Sequence, residues 1–334
     1  MRSFDSHAKE FQVLKNTTPA LDFDGSIPLS EWKKTAKEKL NELLGLPLEI
    51  CDPLFEIEYK EEQEDFINIR FSVQTEPDYF VPCHLIMPKN MKKAPLTICL
   101  SGHGSGMHIV FGKAKNEDDE KSLEEWPHRA MALRAVKDNR CALVVEARNF
   151  GESSVNGIGT SCTEASKIAI LMGRTVIGER CWDVMRILDA IEKEFDFVDF
   201  SDIVCTGNSG GGTATYYLAC LDERIGAALP SCSICSYEAS IAAMPHCLCN
   251  HIPYIRKYFE MGDLAGLIAP RKLVIAAGEK DGIFPIDATK KTFEKIQFIY
   301  DSIGKGKNCA LVVGEKGHLN YADHIWQKLH QLGI

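Results

Sequence analysis

Long apolar runs, blocks of basic residues and low-complexity segments are scarce in this 334-residue sequence. No stretch approaches the roughly 18 consecutive apolar residues that a membrane-spanning helix needs, so we expect no membrane partner. The amino terminus, MRSFDSHAKEFQVLKN, has no apolar centre, and we therefore expect no secretory signal. The formal net charge of −9 argues against a nucleic-acid partner, because binding phosphates requires clustered lysine and arginine.

Cysteine, by contrast, is abundant, but its pattern does not indicate a disulfide framework. The 13 cysteines are odd in number, and many lie within apolar runs, as Cys99, Cys141, Cys205 and Cys220 do. This pattern is typical of small buried apolar side chains in a reducing compartment. We therefore expect a cytoplasmic protein.

The first part of the chain combines a helix with alternating strands. Residues 30–45 have the apolar spacing of a helix that Ser30 would cap and Gly45 would end. We assign residues 1–50 to a helical lead-in packed on the core. The alternation typical of antiparallel edge strands follows in residues 55–60, 66–74 and 79–88.

From Pro95 onward, continuous apolar runs alternate with segments of helical length. The runs cover residues 96–100, 141–146, 202–207, 225–230, 272–278 and 309–314. Helical patterns lie around residues 122–137, 174–194, 211–221, 286–303 and 322–332. Apolar strands separated by helices predict a mostly parallel sheet with helices on both faces, so residues 51–334 are expected to form one α/β domain.

A serine, an acid and a histidine each follow the end of a predicted strand: Ser209, Asp281 and His318. The carboxyl ends of parallel strands lie at one edge of the sheet, where functional groups gather. A serine hydroxyl needs an imidazole to take its proton, and the imidazole needs a carboxylate to fix its tautomer. We predict that these three residues are catalytic. The alternative acids nearby are Glu279 and Asp287, and the alternative histidine is His324.

An acyl-transfer site also needs backbone amides that stabilise an oxyanion. Glycines on both sides of Ser209 permit a strained turn between strand and helix, and the amide of Gly210 would then lie at the helix amino terminus. The second amide is expected from the glycine-rich loop of residues 101–106, and we favour that of His103. Elsewhere, we expect Arg148 and Trp182 to be structural, with Trp182 in the core.

These motifs resemble those of the α/β-hydrolase fold. Residues 207–211, GNSGG, match its G-x-S-x-G nucleophile elbow, and the order Ser209, Asp281, His318 is its triad order. EARNFGESS, residues 146–154, is similar to its D-x-R-G-x-G-x-S loop, from which Glu146 and Asn149 depart. The lead-in helix, the paired edge strands and CLCNHIP resemble the dienelactone-hydrolase-like and acetyl xylan esterase branch, although Ser101-Gly102 stands where His-Gly is frequent.

The resemblance implies a serine-dependent carboxylic ester hydrolase that needs no cofactor. It suggests removal of a small acyl group, such as acetyl, from a carbohydrate or another small alcohol, while the fold alone does not fix the substrate. The alternatives are a prolyl-oligopeptidase-type peptidase and a catalytically silent binding protein. The sequence leaves a homo-oligomer open, and it offers the long connections 151–177 and 231–262 as candidate lids.

A zinc site is the competing interpretation of the segment SCSICSYEASIAAMPHCLCNH. The spacing of Cys232 and Cys235 is that of a ligand pair, whereas Cys247 and Cys249 are one residue closer together than usual. His246 and His251 would complete such a site. The favoured interpretation is a thiol-lined pocket wall, and we therefore predict no metal.

Overall fold

The structure, a computed structural model, describes residues 4–333. Its strands are β1 (Glu56–Glu62), β2 (Phe66–Glu76), β3 (Tyr79–Pro88), β4 (Ala94–Leu100), β5 (Cys141–Val145), β6 (Val198–Asn208), β7 (Ile225–Ser231), β8 (Lys272–Gly278) and β9 (Cys309–Gly314). Its α-helices are α1 (Ser6–Asn16), α2 (Leu29–Leu44), α3 (Glu117–Glu125), α4 (Met131–Lys137), α5 (Cys162–Leu171), α6 (Val176–Glu194), α7 (Gly210–Leu221), α8 (Ile255–Tyr258), α9 (Ala265–Ile268), α10 (Ile286–Ser302) and α11 (Ala322–Gln331).

Within the described residues, nine strands form one sheet in the order β1-β2-β3-β5-β4-β6-β7-β8-β9. Strands β1, β2 and β3 pair antiparallel at one edge, and β3 also runs antiparallel to β5. The pairs from β5 to β9 are all parallel. The predicted mostly parallel sheet with antiparallel edge strands is therefore confirmed.

The parallel strands are buried on both faces, as their continuous apolar runs predict. Every residue of β5 is buried, and so are nearly all residues of β4 and β8. One large apolar cluster includes helices α2, α6 and α7, while a second cluster on the opposite face includes α4 and α11. No helix in residues 4–333 is both long and apolar enough to cross a membrane.

Two local predictions were wrong. Ser30 lies inside α2, which begins at Leu29 after Pro28 and receives no side-chain cap, although Gly45 ends it in the left-handed conformation as predicted. The single helix expected around 122–137 is divided into α3 and α4 by a short turn that begins at Pro127. Proline lacks an amide hydrogen and pushes the residue before it out of the helical region, and Trp126 accordingly has φ −138° and ψ 69°.

Candidate active site

Ser209 connects β6 to α7 in a strained backbone conformation, with φ 56° and ψ −123°. The flanking glycines make this turn possible. A methyl group on Gly207 would lie 2.3 Å from the carbonyl oxygen of Gly211, and one on Gly211 would lie 2.1 Å from that of Leu100. The amide of Ser209 donates to the carbonyl of Ser231, 2.9 Å away, which fixes the turn to the neighbouring strand. Backbone strain of this kind is concentrated at functional sites.

His318 and Asp281 meet beside this turn, with His318 Nδ1 2.9 Å from Asp281 Oδ2. The other oxygen of Asp281 accepts hydrogen bonds from the amides of Ile283 and Phe284. Burial is the largest single influence and raises the pKa of Asp281, but the hydrogen bond and charge of His318 together with the two backbone amides hold that pKa below its usual value. An ionised Asp281 favours the proton of His318 on Nδ1, which leaves Nε2 able to accept a proton. The alternative residues Glu279, Asp287 and His324 are exposed.

The glycine-rich loop after β4 packs directly on the turn that carries Ser209. A methyl group on Gly102 would lie 2.6 Å from the carbonyl oxygen of Asn208, and one on Gly210 would lie 2.9 Å from the imidazole ring of His103. Gly210 is the first residue of α7, so its amide has no partner within the helix. The segments that carry the two predicted oxyanion donors, Gly210 and His103, are therefore in contact.

Glu146, a departure from the acid usual in this fold, supports the same loop from below. One oxygen accepts a hydrogen bond from the amide of Met107 at 3.0 Å, and the other accepts one from the amide of Glu152 at 3.2 Å. The side chain is buried, and burial raises the pKa of Glu146 to about 7 despite these two donors. The hydroxyl of Ser101 is also buried, and no partner for it lies among residues 4–333.

A second serine, histidine and aspartate meet at the back of the loop, and no motif in the sequence predicted this group. Ser105 Oγ donates to Asp119 Oδ1 and lies 3.1 Å from His108 Nε2, which is 2.7 Å from Asp119 Oδ2. We call Ser105, His108 and Asp119 the buried group. His108 and Asp119 are each only 4% exposed, so the group fastens α3 to the loop without facing a substrate.

Arg148 and Trp182 occupy the structural positions predicted for them. Arg148 forms two hydrogen bonds with Asp183, at 2.7 and 2.8 Å, and an ion pair with Glu76. Trp182 is buried, and its indole nitrogen donates to the carbonyl of Thr75 at 2.8 Å. Together these contacts join the antiparallel edge strands to α6 beneath the candidate site.

A cavity of about 920 Å³ opens above Ser209 and His318. Its walls come from the loop after β4, from the α3–α4 region and from the loop after β9. Charged side chains line it, among them Lys121, Arg129 and Lys316, and the ammonium of Lys316 lies 4.9 Å from the ring centre of Trp126. The volume is large enough for a drug-sized ligand, and the lining combines charged side chains with apolar ones such as Ile109, Val110 and Met131.

The structure separates the cysteines that the sequence suggested as one zinc site. Cys232 lies beside Asp281 and His318, while Cys235 lies near the carbonyl of Pro285. Cys247 and Cys249 instead meet His103 and Cys162, which come from distant parts of the chain. Cys162 stands alone in the sequence, and no spacing pattern links it to His103, so sequence reasoning had no signal for this grouping.

Comparison with known proteins agrees with the fold. The pattern of an Abhydrolase family matches residues 2–295, which is most of the chain. YtaP of Bacillus subtilis (strain 168), provisionally described as a hydrolase, is 24% identical over 244 residues, covering 72% of this chain and 79% of its own.

Solved structures resemble the chain over almost its whole length. A provisionally assigned acetyl xylan esterase from Bacteroides fragilis NCTC 9343 superposes with a TM-score of 0.81 at 18% identity, covering 99% of this chain and 94% of its own. A glucuronoyl esterase from Solibacter usitatus gives 0.68 at 16% identity, covering 95% and 98%. With a family pattern that spans most of its residues, and with the sheet and strained turn described above, the chain belongs to the α/β-hydrolase family.

Proposed function

We propose that the protein is a serine-dependent carboxylic ester hydrolase that works through an acyl-enzyme. The observation that carries this proposal is the convergence of three features on one cavity: the strained turn at Ser209, the His318–Asp281 hydrogen bond, and the contact between the loops of His103 and Gly210. Together they supply the nucleophile, the oriented base and the oxyanion donors that acyl transfer requires.

In this mechanism Ser209 Oγ attacks the acyl carbon while His318 Nε2 takes its proton. Asp281 keeps the imidazole in the required tautomer and stabilises the imidazolium that forms. The amides of Gly210 and His103 donate to the oxyanion, a contribution of about 2.7–4 kcal/mol for each donor in comparable enzymes. His318 then gives the proton to the leaving alcohol, and it activates the water that releases the acid.

The cavity supports a small acyl group and a hydrophilic alcohol. Charged groups such as those of Lys121 and Lys316 in the wall would lose hydration beside a long acyl chain without a compensating partner. The volume of about 920 Å³ exceeds the needs of an acetyl group alone, so it leaves space for an alcohol of sugar size. Two structural neighbours, described as an acetyl xylan esterase and a glucuronoyl esterase, are esterases by name.

The experiment that tests the proposal measures release of p-nitrophenol from acetyl, butyryl and octanoyl esters, with Ser209→Ala as the matched control. We expect turnover of the acetyl ester, a decline with acyl length, and no serine-independent turnover. Acetylated mono- and disaccharides would then be screened for release of acetate. A fluorophosphonate probe should label the wild-type protein at Ser209 and leave the variant unlabelled.

Two results would contradict the proposal. Turnover of aminoacyl-amide substrates in preference to every ester would favour the peptidase. A folded wild-type protein that neither hydrolyses esters nor reacts with the fluorophosphonate would favour the catalytically silent binding protein.

A further inference from the structure

Three thiols and one imidazole meet at one point beside the candidate active site. They belong to Cys162, Cys247, Cys249 and His103, and their ligand atoms all lie within 4.8 Å of one another. Cys249 Sγ is 3.2 Å from both His103 Nε2 and Cys247 Sγ, and Cys162 Sγ is 3.8 Å from His103 Nε2. We call these four residues the Cys₃His cluster, and we propose that it binds a zinc ion.

The spacing of the four atoms fits tetrahedral zinc. Bond lengths of about 2.3 Å to sulfur and about 2.0–2.1 Å to nitrogen place neighbouring ligand atoms roughly 3.4–3.8 Å apart in a tetrahedron. The three distances given above, 3.2 to 3.8 Å, agree with that range to within a few tenths of an ångström, and no two ligand atoms of the cluster are more than 4.8 Å apart. Three cysteines and one histidine form a known ligand set of structural zinc sites, and thiolates select zinc over hard cations such as Mg²⁺.

A buried arginine supplies a second, independent observation. Arg180 is 3% exposed, and its Nη2 donates to Cys162 Sγ at 3.2 Å. Its other hydrogen bonds go to the carbonyl of Arg148, and no carboxylate among residues 4–333 forms an ion pair with it. A buried guanidinium needs a counter-charge. Zinc with three thiolates and a neutral imidazole carries one net negative charge, which Arg180 would balance.

The cluster joins three separate segments above the sheet. His103 belongs to the loop after β4, Cys162 begins α5, and Cys247 precedes the short turn Leu248–Asn250, which contains Cys249. The last two segments are the two candidate lids of the sequence analysis. A zinc ion with four protein ligands has no open position, so its role would be to hold these segments together. On binding, the ion replaces the thiol protons, which pass to solvent.

The position of His103 gives the site a consequence for catalysis that rests on the proposed function. Nε2 of its ring faces the sulfurs, while the ring itself packs against Gly210. Zinc ligation would therefore fix the residue whose amide is the second proposed oxyanion donor. His103 is in this respect both a ligand and a positioning residue for the loop.

The first test measures metal content in full-length protein purified with a reductant and without chelator. We expect about one zinc per chain in the wild type, and about one tenth of that or less in Cys162→Ser and Cys249→Ser. Cys51→Ser is the matched control, because Cys51 is a free cysteine whose thiol lies near the carbonyl of Gln74, outside the cluster. Zinc retained by both cluster variants would show that the metal binds elsewhere and would overturn the proposal.

A cobalt titration of metal-stripped wild type avoids dependence on variants that fold poorly. Co²⁺ bound by three thiolates gives intense thiolate-to-metal absorption and tetrahedral d–d bands, and zinc should displace it. Absence of these bands, with less than about 0.1 metal per chain after equilibration with zinc, would overturn the proposal.

Removal of the metal should lower kcat for the acetyl ester about tenfold or more, with a smaller change in KM, because the oxyanion donor loses its support. Metal content and the cobalt spectrum are read without any substrate. A protein that binds zinc but hydrolyses no ester would therefore contradict the proposed function and leave the metal site standing.

Discussion

The candidate triad (Ser209, Asp281 and His318) and the buried group both consist of a serine, a histidine and an aspartate. They differ in their contacts and in their exposure to solvent. In the candidate triad, one oxygen of Asp281 contacts His318, and the second accepts from two backbone amides. In the buried group, Asp119 contacts both the serine and the histidine, and it also accepts from the amide of Lys115. His318, held by Asp281, lines the cavity that Ser209 also lines, whereas the three members of the buried group contact one another.

Access to solvent separates the two groups further. The side chain of His318 is 23% exposed and lines the cavity, while that of His108 is 4% exposed. Ser209 has the positive φ that projects a hydroxyl from a sharp turn, and Ser105 is not among the described residues with this conformation. The presence of a serine, a histidine and an aspartate is therefore not sufficient for a catalytic site. The order of the contacts, the strained backbone and the open cavity are what the chemistry requires.

Replacing each serine in turn is the strongest test of whether the two groups have different roles. Ser209→Ala should lower kcat/KM for p-nitrophenyl acetate about 10³-fold or more, because the nucleophile is lost. Ser105→Ala should change it less than about tenfold and lower the free energy of unfolding by about 1 kcal/mol, the usual value of one hydrogen bond. Initial rates and urea unfolding of both variants provide the measurement. Equal losses of activity would mean that the buried group takes part in the chemistry.

Removing the charge of each aspartate gives the next largest effect. Asp281→Asn should lower kcat about 10³–10⁴-fold, since the amide no longer fixes the tautomer of His318. Asp119→Asn should instead lower the free energy of unfolding by about 1–3 kcal/mol, because hydrogen bonds to a buried charged group are lost. Steady-state kinetics and urea unfolding separate the two outcomes. A variant of Asp281 with nearly normal kcat would contradict its assignment as the residue that orients His318.

The sequence contained enough information to predict the candidate triad. Gly207 and Gly211 lie where any side chain would collide with backbone atoms. The spacing of these glycines around Ser209 therefore predicted the strained turn. Asp281 and His318 each follow an apolar run that could only be a buried strand, and parallel strands bring such positions together. The three candidate residues therefore needed no knowledge of side-chain packing.

The buried group and the Cys₃His cluster depend on packing that no periodicity encodes. Asp119 reaches Ser105 and His108 only because the chain turns back at α3, and Cys249 reaches His103 across 146 residues of sequence. The spacing of Cys232 and Cys235 suggested a ligand pair, but the chain continues from β7 in a direction that sends them to different neighbours. The sequence spacing of cysteines identifies metal ligands that share one turn. It does not identify a site that is built from single residues of several loops.

The last prediction concerns stability alone and involves Glu146, which supports the loop that carries Ser105 and packs on the turn of Ser209. Its pKa is raised from 4.5 to about 7 by burial, so its ionisation is less favourable in the folded state than in the unfolded chain. The corresponding stability is fully present below pH 4.5 and is lost as the pH rises through about 7, a change of up to about 3 kcal/mol. In Glu146→Gln, which does not titrate, this loss should be absent.

Urea unfolding of the wild type and of Glu146→Gln across pH 4.5 to 8 measures the difference, because the other carboxylates contribute equally to both curves. We expect the curves to diverge as the pH rises from about 4.5 and to become parallel above about 7, with the wild type losing stability relative to the variant. The pH trend of this difference matters more than its absolute value, since glutamine presents an amide group to one of the two backbone donors. Parallel curves would mean that Glu146 is already ionised throughout, and that the amides of Met107 and Glu152 outweigh its burial.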